Sequence, residues 1–285
     1  MTCRMSANHQ WSCCLSRPVW FVNLLKKSFP QRFLVARLTN VPLLGSLIDW
    51  GLFDGDDLIY LPSDRSIQIN ENINQPDHLV LPSRVVDHFI EKASHHWIMD
   101  FCICRESNQC EEYPRRYGCI FLGEAIRNIN PRLGRQVSKE EALEHARRCR
   151  EAGLVHVVGR NKLDVMWLGA GPGEKLFTIC NCCPCCCLWK VLPDITPRIG
   201  VKVSRMPGVS VQVSDWCLGC GTCAEDVCFV DAIQVIEGHA QIGEGCRGCG
   251  RCVEVCPNDA IRLTIHESTY IDQVIERLSR KVNVL

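Results

Sequence analysis

CLGCGTCAEDVCFVDAI, residues 217–233, is answered by CRGCGRCVEVCPNDAI, residues 246–261. Each stretch opens C-x2-C-x2-C: Cys217, Cys220 and Cys223 in the first, Cys246, Cys249 and Cys252 in the second. A further cysteine follows, Cys228 or Cys256, and then Asp-Ala-Ile. The offset between Cys217 and Cys246 is 29 residues, an internal repeat. Three cysteines two residues apart wrap a tight loop around one face of a polynuclear centre, whereas a zinc site favours two separated pairs. Gly219, Gly221, Gly248 and Gly250 leave room for backbone N–H groups to approach the sulfur atoms and offset their negative charge.

These residues resemble the module of two-cluster bacterial ferredoxins, over about 50 residues. The second repeat matches its C-x2-C-x2-C-x3-C-P pattern through Pro257. The first departs from it, with four residues before Cys228 and Phe229 in place of proline. The resemblance implies two [4Fe–4S] clusters, each completed by a cysteine of the other repeat. Cluster I would use Cys217, Cys220, Cys223 and Cys256, and cluster II Cys246, Cys249, Cys252 and Cys228. Residues 215–262 carry eight acidic side chains and three arginines. Such a face steers toward a basic patch on a redox partner, though a solvated surface has the same composition.

Ten more thiols lie upstream: Cys102, Cys104, Cys110 and Cys119, then Cys180, Cys182, Cys183, Cys185, Cys186 and Cys187. They read as two halves of one site. Consecutive residues of an extended chain face opposite sides, so Cys185, Cys186 and Cys187 cannot all serve one centre. A further iron–sulfur cluster on a subset of the ten is expected, with a second such cluster, a zinc site or a redox thiol pair as alternatives. His95 and His96 are minor candidates as ligands, and Arg105, Arg115 and Arg116 as compensating charge. Together Cys102–Cys119, Gly153–His156 and Cys180–Cys187 resemble a cysteine-rich family of ferredoxin-like proteins of anaerobic prokaryotes, which join these motifs to a C-terminal dicluster module. The resemblance implies iron–sulfur electron transfer and fixes no reaction.

The chain has 285 residues, no net formal charge and 22 cysteines, 19 of them between Cys102 and Cys256. A balanced charge and a 46% apolar composition exclude a disordered tail and a general nucleic-acid binder. Adjacent cysteines and an N-terminus with polar Asn8, His9 and Gln10 point away from a secreted disulfide scaffold and toward a reduced cytoplasm. No spanning helix is predicted. Val41–Phe53 is the most apolar stretch and reads as a core segment, with an interfacial membrane patch as its alternative.

The fold expected is α+β, a small helix–hairpin cysteine-rich domain followed by a duplicated βαβ ferredoxin-like module. The division is 1–82 irregular and apolar, 83–192 cysteine-rich, 193–207 linker, 208–266 dicluster module and 267–285 a C-terminal helix. Helical spacing marks 83–98, and a capping box of Ser138 with Glu141 opens a helix closed by Gly153. LVHVV and DVMWL read as strands around a turn, giving the 138–180 unit winged-helix proportions. Gly169–Lys175 reads as a hairpin turn and lacks the pattern of a phosphate loop. Cys3, Cys13, Cys14 and Cys149 have no partner motif. The function expected is electron relay to a redox partner protein of the flavoprotein or oxidoreductase-complex class. The alternatives are an oxidoreductase with its own centre at Cys102–Cys187, and a DNA-binding redox sensor, which the mixed charge of 139–151 argues against.

Overall fold

The computed structural model describes residues 16–67, 81–266 and 269–285. The N-terminal stretch up to residue 15, with Cys3, Cys13 and Cys14, lies outside them. Seven strands make one mixed sheet: β1 (Asp57–Tyr60), β2 (His96–Met99), β3 (Ile120–Leu122), β4 (Gly134–Val137), β5 (Val155–Arg160), β6 (Phe177–Cys182) and β7 (Val203–Arg205). Their order is β4-β2-β3-β6-β5-β1-β7, antiparallel throughout except for the parallel β1–β7 pair. Two antiparallel pairs follow. β8 (Val209–Val213) pairs with β11 (Ile261–Ile265), and β9 (Ile233–Ile236) with β10 (His239–Ile242).

Period-two alternation divides the strand residues between two cores. Ile59, Val158, Phe177 and Ile179 face a layer built from helices Ser83–Lys92, Lys139–Glu151 and Thr269–Ser279. Leu58, Tyr60, Val155 and Val157 face the other way, toward Trp189, Ile199 and Phe229. The alternation places Cys180 and Cys182 on this second face, which decides where the thiols gather.

Several sequence expectations hold and several are corrected. The capping box is formed: Glu141 N–H donates to Ser138 Oγ at 3.2 Å, and Ser138 N–H to Glu141 Oε2 at 3.1 Å. The C-terminal helix buries Ile271, Val274 and Leu278. The helix beginning at Ser83 ends at Lys92, not 98. His96 and Trp97 lie instead on β2, where aromatic and β-branched residues fit a buried strand. DVMWL is not a strand. It lies in helix Lys162–Leu168, because Asn161 Oδ1 accepts the Leu163 N–H at 3.1 Å and Gly169, at φ +66°, closes the last turn. The run from Gly169 to Lys175 therefore joins a helix to β6 and is no hairpin turn. In place of a small helix–hairpin unit, β5 and β6 are neighbouring strands deep in the large sheet. β1 comes from the opening region and β7 from the 193–207 stretch. On helix Lys139–Glu151, Arg147 and Arg148 are paired with Glu144, and Arg147 also with Glu151.

Of the opening helices, Arg32–Leu38 packs into the second core through Ala36, and Val19–Ser28 packs through Val22 against Trp97, Met99 and Phe121, while Trp20, Leu24, Leu34, Leu43, Leu47 and Trp50 stay exposed. No helix among the described residues is long and apolar enough to cross a membrane.

Just before β1, Asp56 Oδ1 accepts the Lys162 N–H at 2.6 Å, and its Oδ2 is buried with no partner among the described residues. Burial pushes its carboxyl from 3.8 up to about 7. The folded state therefore holds this proton more tightly than the unfolded chain, and the associated stability is lost as pH rises from about 4 to about 7. Asp56→Asn keeps the acceptor and removes the charge. Relative to the parent, its thermal midpoint should rise progressively across that window, by an equivalent of about 2–4 kcal/mol at the upper end. A constant difference between the two midpoints from pH 4.5 to 8 would refute this.

Candidate metal centres

The two repeats adopt the same local backbone. Gly219 and Gly248 both have φ +64°, Gly221 and Gly250 both +82°, and Asp231 and Asp259 both +49°. An added Cβ at Gly219 would come within 2.2 Å of the Gly238 carbonyl oxygen, so only glycine fits there. Ala232 N–H points at Cys228 Sγ (3.2 Å) and Ala260 N–H at Cys256 Sγ (3.3 Å). Ala240 N–H and Gly248 N–H point likewise at Cys217 Sγ and Cys246 Sγ.

One cavity of this region is lined by Cys217, Cys220, Cys223 and Cys256. A second is lined by Cys228, Cys246, Cys249 and Cys252. Each triplet thus meets the lone cysteine of the other repeat. Burial, followed by the neighbouring thiols Cys217, Cys220 and Cys256, raises the Cys223 thiol. Burial together with Cys246, Cys228 and Cys223 pushes Cys252 up to about 12. Four thiols gathered around one small space are the donor set a positive metal core would satisfy. Cys220 is exposed, and Trp216 and Leu218 beside it are 76% and 73% exposed.

The ten upstream thiols, expected as one site, separate into two groups. Cys110, Cys183, Cys185 and Cys186 place their sulfur atoms within 4.8 Å of one another. Cys104, Cys119, Cys180, Cys182 and Cys187 line a different space, a cleft of about 460 Å³. Cys119 and Cys180 there stand 3.8 Å apart, and Cys102 hydrogen-bonds to Cys104 at its edge. The division follows from β6: Cys180 and Cys182 share its inner face, and Cys183 lies beyond the strand end, where the chain turns. Helices Val19–Ser28 and Arg32–Leu38 supply Phe21, Leu25, Arg32 and Val35 to the cleft wall. Cys149 is fully buried among Cys110, Leu154 and Cys183, and burial lifts its thiol far above the ordinary value.

His96, one of two minor candidates, has its ring on the Ile90 carbonyl at 2.6 Å, and His95 lies near Arg127 and Glu124. Neither joins the thiols. Arg105 does. Its guanidinium is fully buried and donates to the carbonyls of Pro114 (3.0 Å), Asn181 (2.7 Å) and Tyr117. Burial works against its charge, but the thiols of Cys102 and Cys183 outweigh this and hold it above its ordinary value.

Three residues escaped the sequence reading. Tyr60 is fully buried, and its hydroxyl is raised first by burial and then by the thiols of Cys187, Cys182 and Cys249. Its ring meets Phe229 edge-on, with centroids 5.6 Å apart. Asp164, raised to about 6 by burial, accepts from Trp167 Nε1, Thr178 Oγ1 and Asn161 Nδ2 at the cleft floor. His156, in the Gly153–His156 motif, is buried on β5 and kept neutral first by burial and then by Arg150, with its pKa down at about 3. A tyrosine in a short apolar strand carries no sequence signal of its own. Its role comes from β1 lying between two distant cysteine segments.

Residues 224–267 match the model of the LdpA Fe-S cluster-binding domain. This match supports an iron–sulfur-binding domain at the C-terminal end of the chain. The matched span contains all four cysteines of the second cavity and Cys256 of the first. No curated protein and no solved structure matches the chain.

Proposed function

We propose that this chain is an iron–sulfur electron-transfer protein that relays low-potential electrons to or from a partner oxidoreductase. The observation that carries the reading is the pair of four-cysteine cavities, each built from one C-x2-C-x2-C triplet and one cysteine of the other repeat. A [4Fe–4S] cluster in each would supply reversible one-electron chemistry. Cys217, Cys220, Cys223 and Cys256 would hold the first, and Cys246, Cys249, Cys252 and Cys228 the second. The backbone N–H groups of Ala232, Ala240, Gly248 and Ala260 already face ligand sulfurs and would temper the added negative charge.

A third iron–sulfur centre fits the group Cys102, Cys104, Cys119, Cys180, Cys182 and Cys187. The packing supports a relay from it. Cys182 and Cys187 belong to the same apolar core as Tyr60 and Phe229, and Cys228 and Cys249 pack against that core. Buried, mutually packed side chains thus run from the upstream thiols to the second cavity. At the other end, exposed Cys220, Trp216 and Leu218 offer an electron exit where a redox partner can dock, and the surrounding acidic residues would orient it.

The alternative, an oxidoreductase with its own centre at Cys102–Cys187, is favoured by one observation. The thiol-lined cleft is roomy and largely apolar, with Asp164 at its floor. Anaerobic iron and sulfide analysis with EPR of the reduced full chain tests the main reading. About twelve irons with matching sulfide are expected, about eight of them from the C-terminal pair. Fewer than about six would refute it. Turnover of a small substrate without any protein partner would favour the alternative.

A further inference from the structure

The four remaining upstream thiols differ from every other cysteine group in scale. Cys110, Cys183, Cys185 and Cys186 hold their sulfurs within 4.8 Å of one another, and among the described residues no other group of three or more metal-ligating side chains closes to that degree. Cys110 Sγ and Cys185 Sγ are 3.5 Å apart, and Cys183 Sγ and Cys185 Sγ 3.4 Å. Four thiolates about 2.3 Å from a single ion, at the corners of a tetrahedron, would stand about 3.8 Å from one another. The thiolates of a cubane radiate from four separate irons with sulfides between them, so their sulfurs must stand much farther apart. Among the described residues the cysteines lining the two C-terminal cavities form no group within 4.8 Å, which makes them an internal reference for size.

We propose that Cys110, Cys183, Cys185 and Cys186 form a mononuclear tetrathiolate site for a thiophilic divalent ion, zinc or ferrous iron, separate from any iron–sulfur cluster. The surroundings suit a structural site. Cys183, Cys186 and Cys110 are 1%, 4% and 7% exposed, and all four positions are protein thiols, which leaves none open to substrate. The loop shapes the donors. Pro184 turns the chain after β6 so that residues 183, 185 and 186 converge, and Cys110 arrives from the turn at Gln109, where φ is +50°. Arg105, close to Cys183, offsets part of the net negative charge of four thiolates around a divalent ion, and Arg115 Nε holds the Cys110 carbonyl at 2.8 Å. The ion would tie the 102–119 loop to the end of β6, segments more than 60 residues apart in sequence, and a cross-link of that span gains most from loop closure.

The test is metal and sulfide analysis of the anaerobically purified full chain and of its Cys185→Ser and Cys110→Ser variants. The parent should hold one divalent ion beyond the iron matched by sulfide. Both variants should lose that ion while their cluster iron and acid-labile sulfide stay at the parent level. Element analysis tells zinc from iron. Where a variant fails to fold, the parent expressed with cobalt decides instead: one equivalent should give the sulfur-to-cobalt charge-transfer and intense visible bands of a tetrahedral thiolate site. Loss of iron and sulfide together in Cys185→Ser would overturn the proposal in favour of a cluster. So would a parent that holds no ion beyond its cluster iron and takes up no tetrahedral cobalt. Because the readout is the excess ion, failure here leaves the sulfide-matched iron of the proposed clusters untouched.

Discussion

Cys256→Ser should abolish the centre of the first repeat, not that of its own. Cys256 lines the cavity of Cys217, Cys220 and Cys223, while its sequence neighbours Cys249 and Cys252 line the other with Cys228. Its sulfur receives the Ala260 N–H at 3.3 Å, so the strand that follows fixes where the side chain points. Removing one of four thiolates leaves an iron open to water and oxidant, and the expected loss is about four irons per chain. The decisive comparison is spectroscopic. The EPR spectrum missing from Cys256→Ser should coincide with that missing from Cys220→Ser, and the spectrum missing from Cys228→Ser with that missing from Cys249→Ser. If Cys256→Ser instead resembles Cys249→Ser, the cross-repeat assignment is wrong.

The local backbone of the two repeats was legible because its information is local. A triplet at spacing two, glycines at the second and fourth inner positions and a following Asp-Ala-Ile specify a loop whose shape barely depends on the rest of the chain. The matching positive φ values of Gly219 and Gly248 are that local code made visible. The upstream region was legible only as a concentration of thiols. Its division into two groups depends on which face of β6 each cysteine takes and on helices 19–38 closing one side of the cleft, and both are set by pairings remote in sequence. Asp57–Tyr60 gave no sign that it would join the sheet between β5 and β7, since a short apolar run such as Leu58-Ile59-Tyr60 fits a strand or a helix equally. The helix over DVMWL was, by contrast, readable in principle. Asn161 as N-cap, Asp164 in the first turn and Gly169 at the end are ordinary helix punctuation, overlooked in favour of a hairpin pattern. The run at 96–99 shows the opposite error, a helical period extended past Ala93 into residues that prefer a strand.

Arg105→Met should strongly destabilise the fold. The guanidinium is a buried cation that satisfies three carbonyls, of Pro114, Asn181 and Tyr117, and so staples the 102–119 loop to β6 from the inside. Methionine fills most of the volume but takes the guanidinium donor from the Asn181 and Tyr117 carbonyls, whereas the Pro114 carbonyl keeps the Tyr117 N–H at 3.3 Å, and a buried group left unpaired costs about 1–3 kcal/mol. It also removes the one fully buried positive charge beside Cys102 and Cys183, among the described residues, so ionising those thiols becomes harder. The combined loss should reach about 3–5 kcal/mol, a large share of the usual 5–15 kcal/mol stability of a domain. Lysine keeps the charge but cannot fork to three acceptors. Arg105→Lys should therefore fall between the parent and Arg105→Met in thermal midpoint, and should retain more upstream metal than Arg105→Met. Calorimetry and metal analysis of both variants separate the two contributions. Equal midpoints for the parent and Arg105→Met would show that the three carbonyls are satisfied without the guanidinium. Equal upstream metal in Arg105→Lys and Arg105→Met would show that the charge does not support the thiolates.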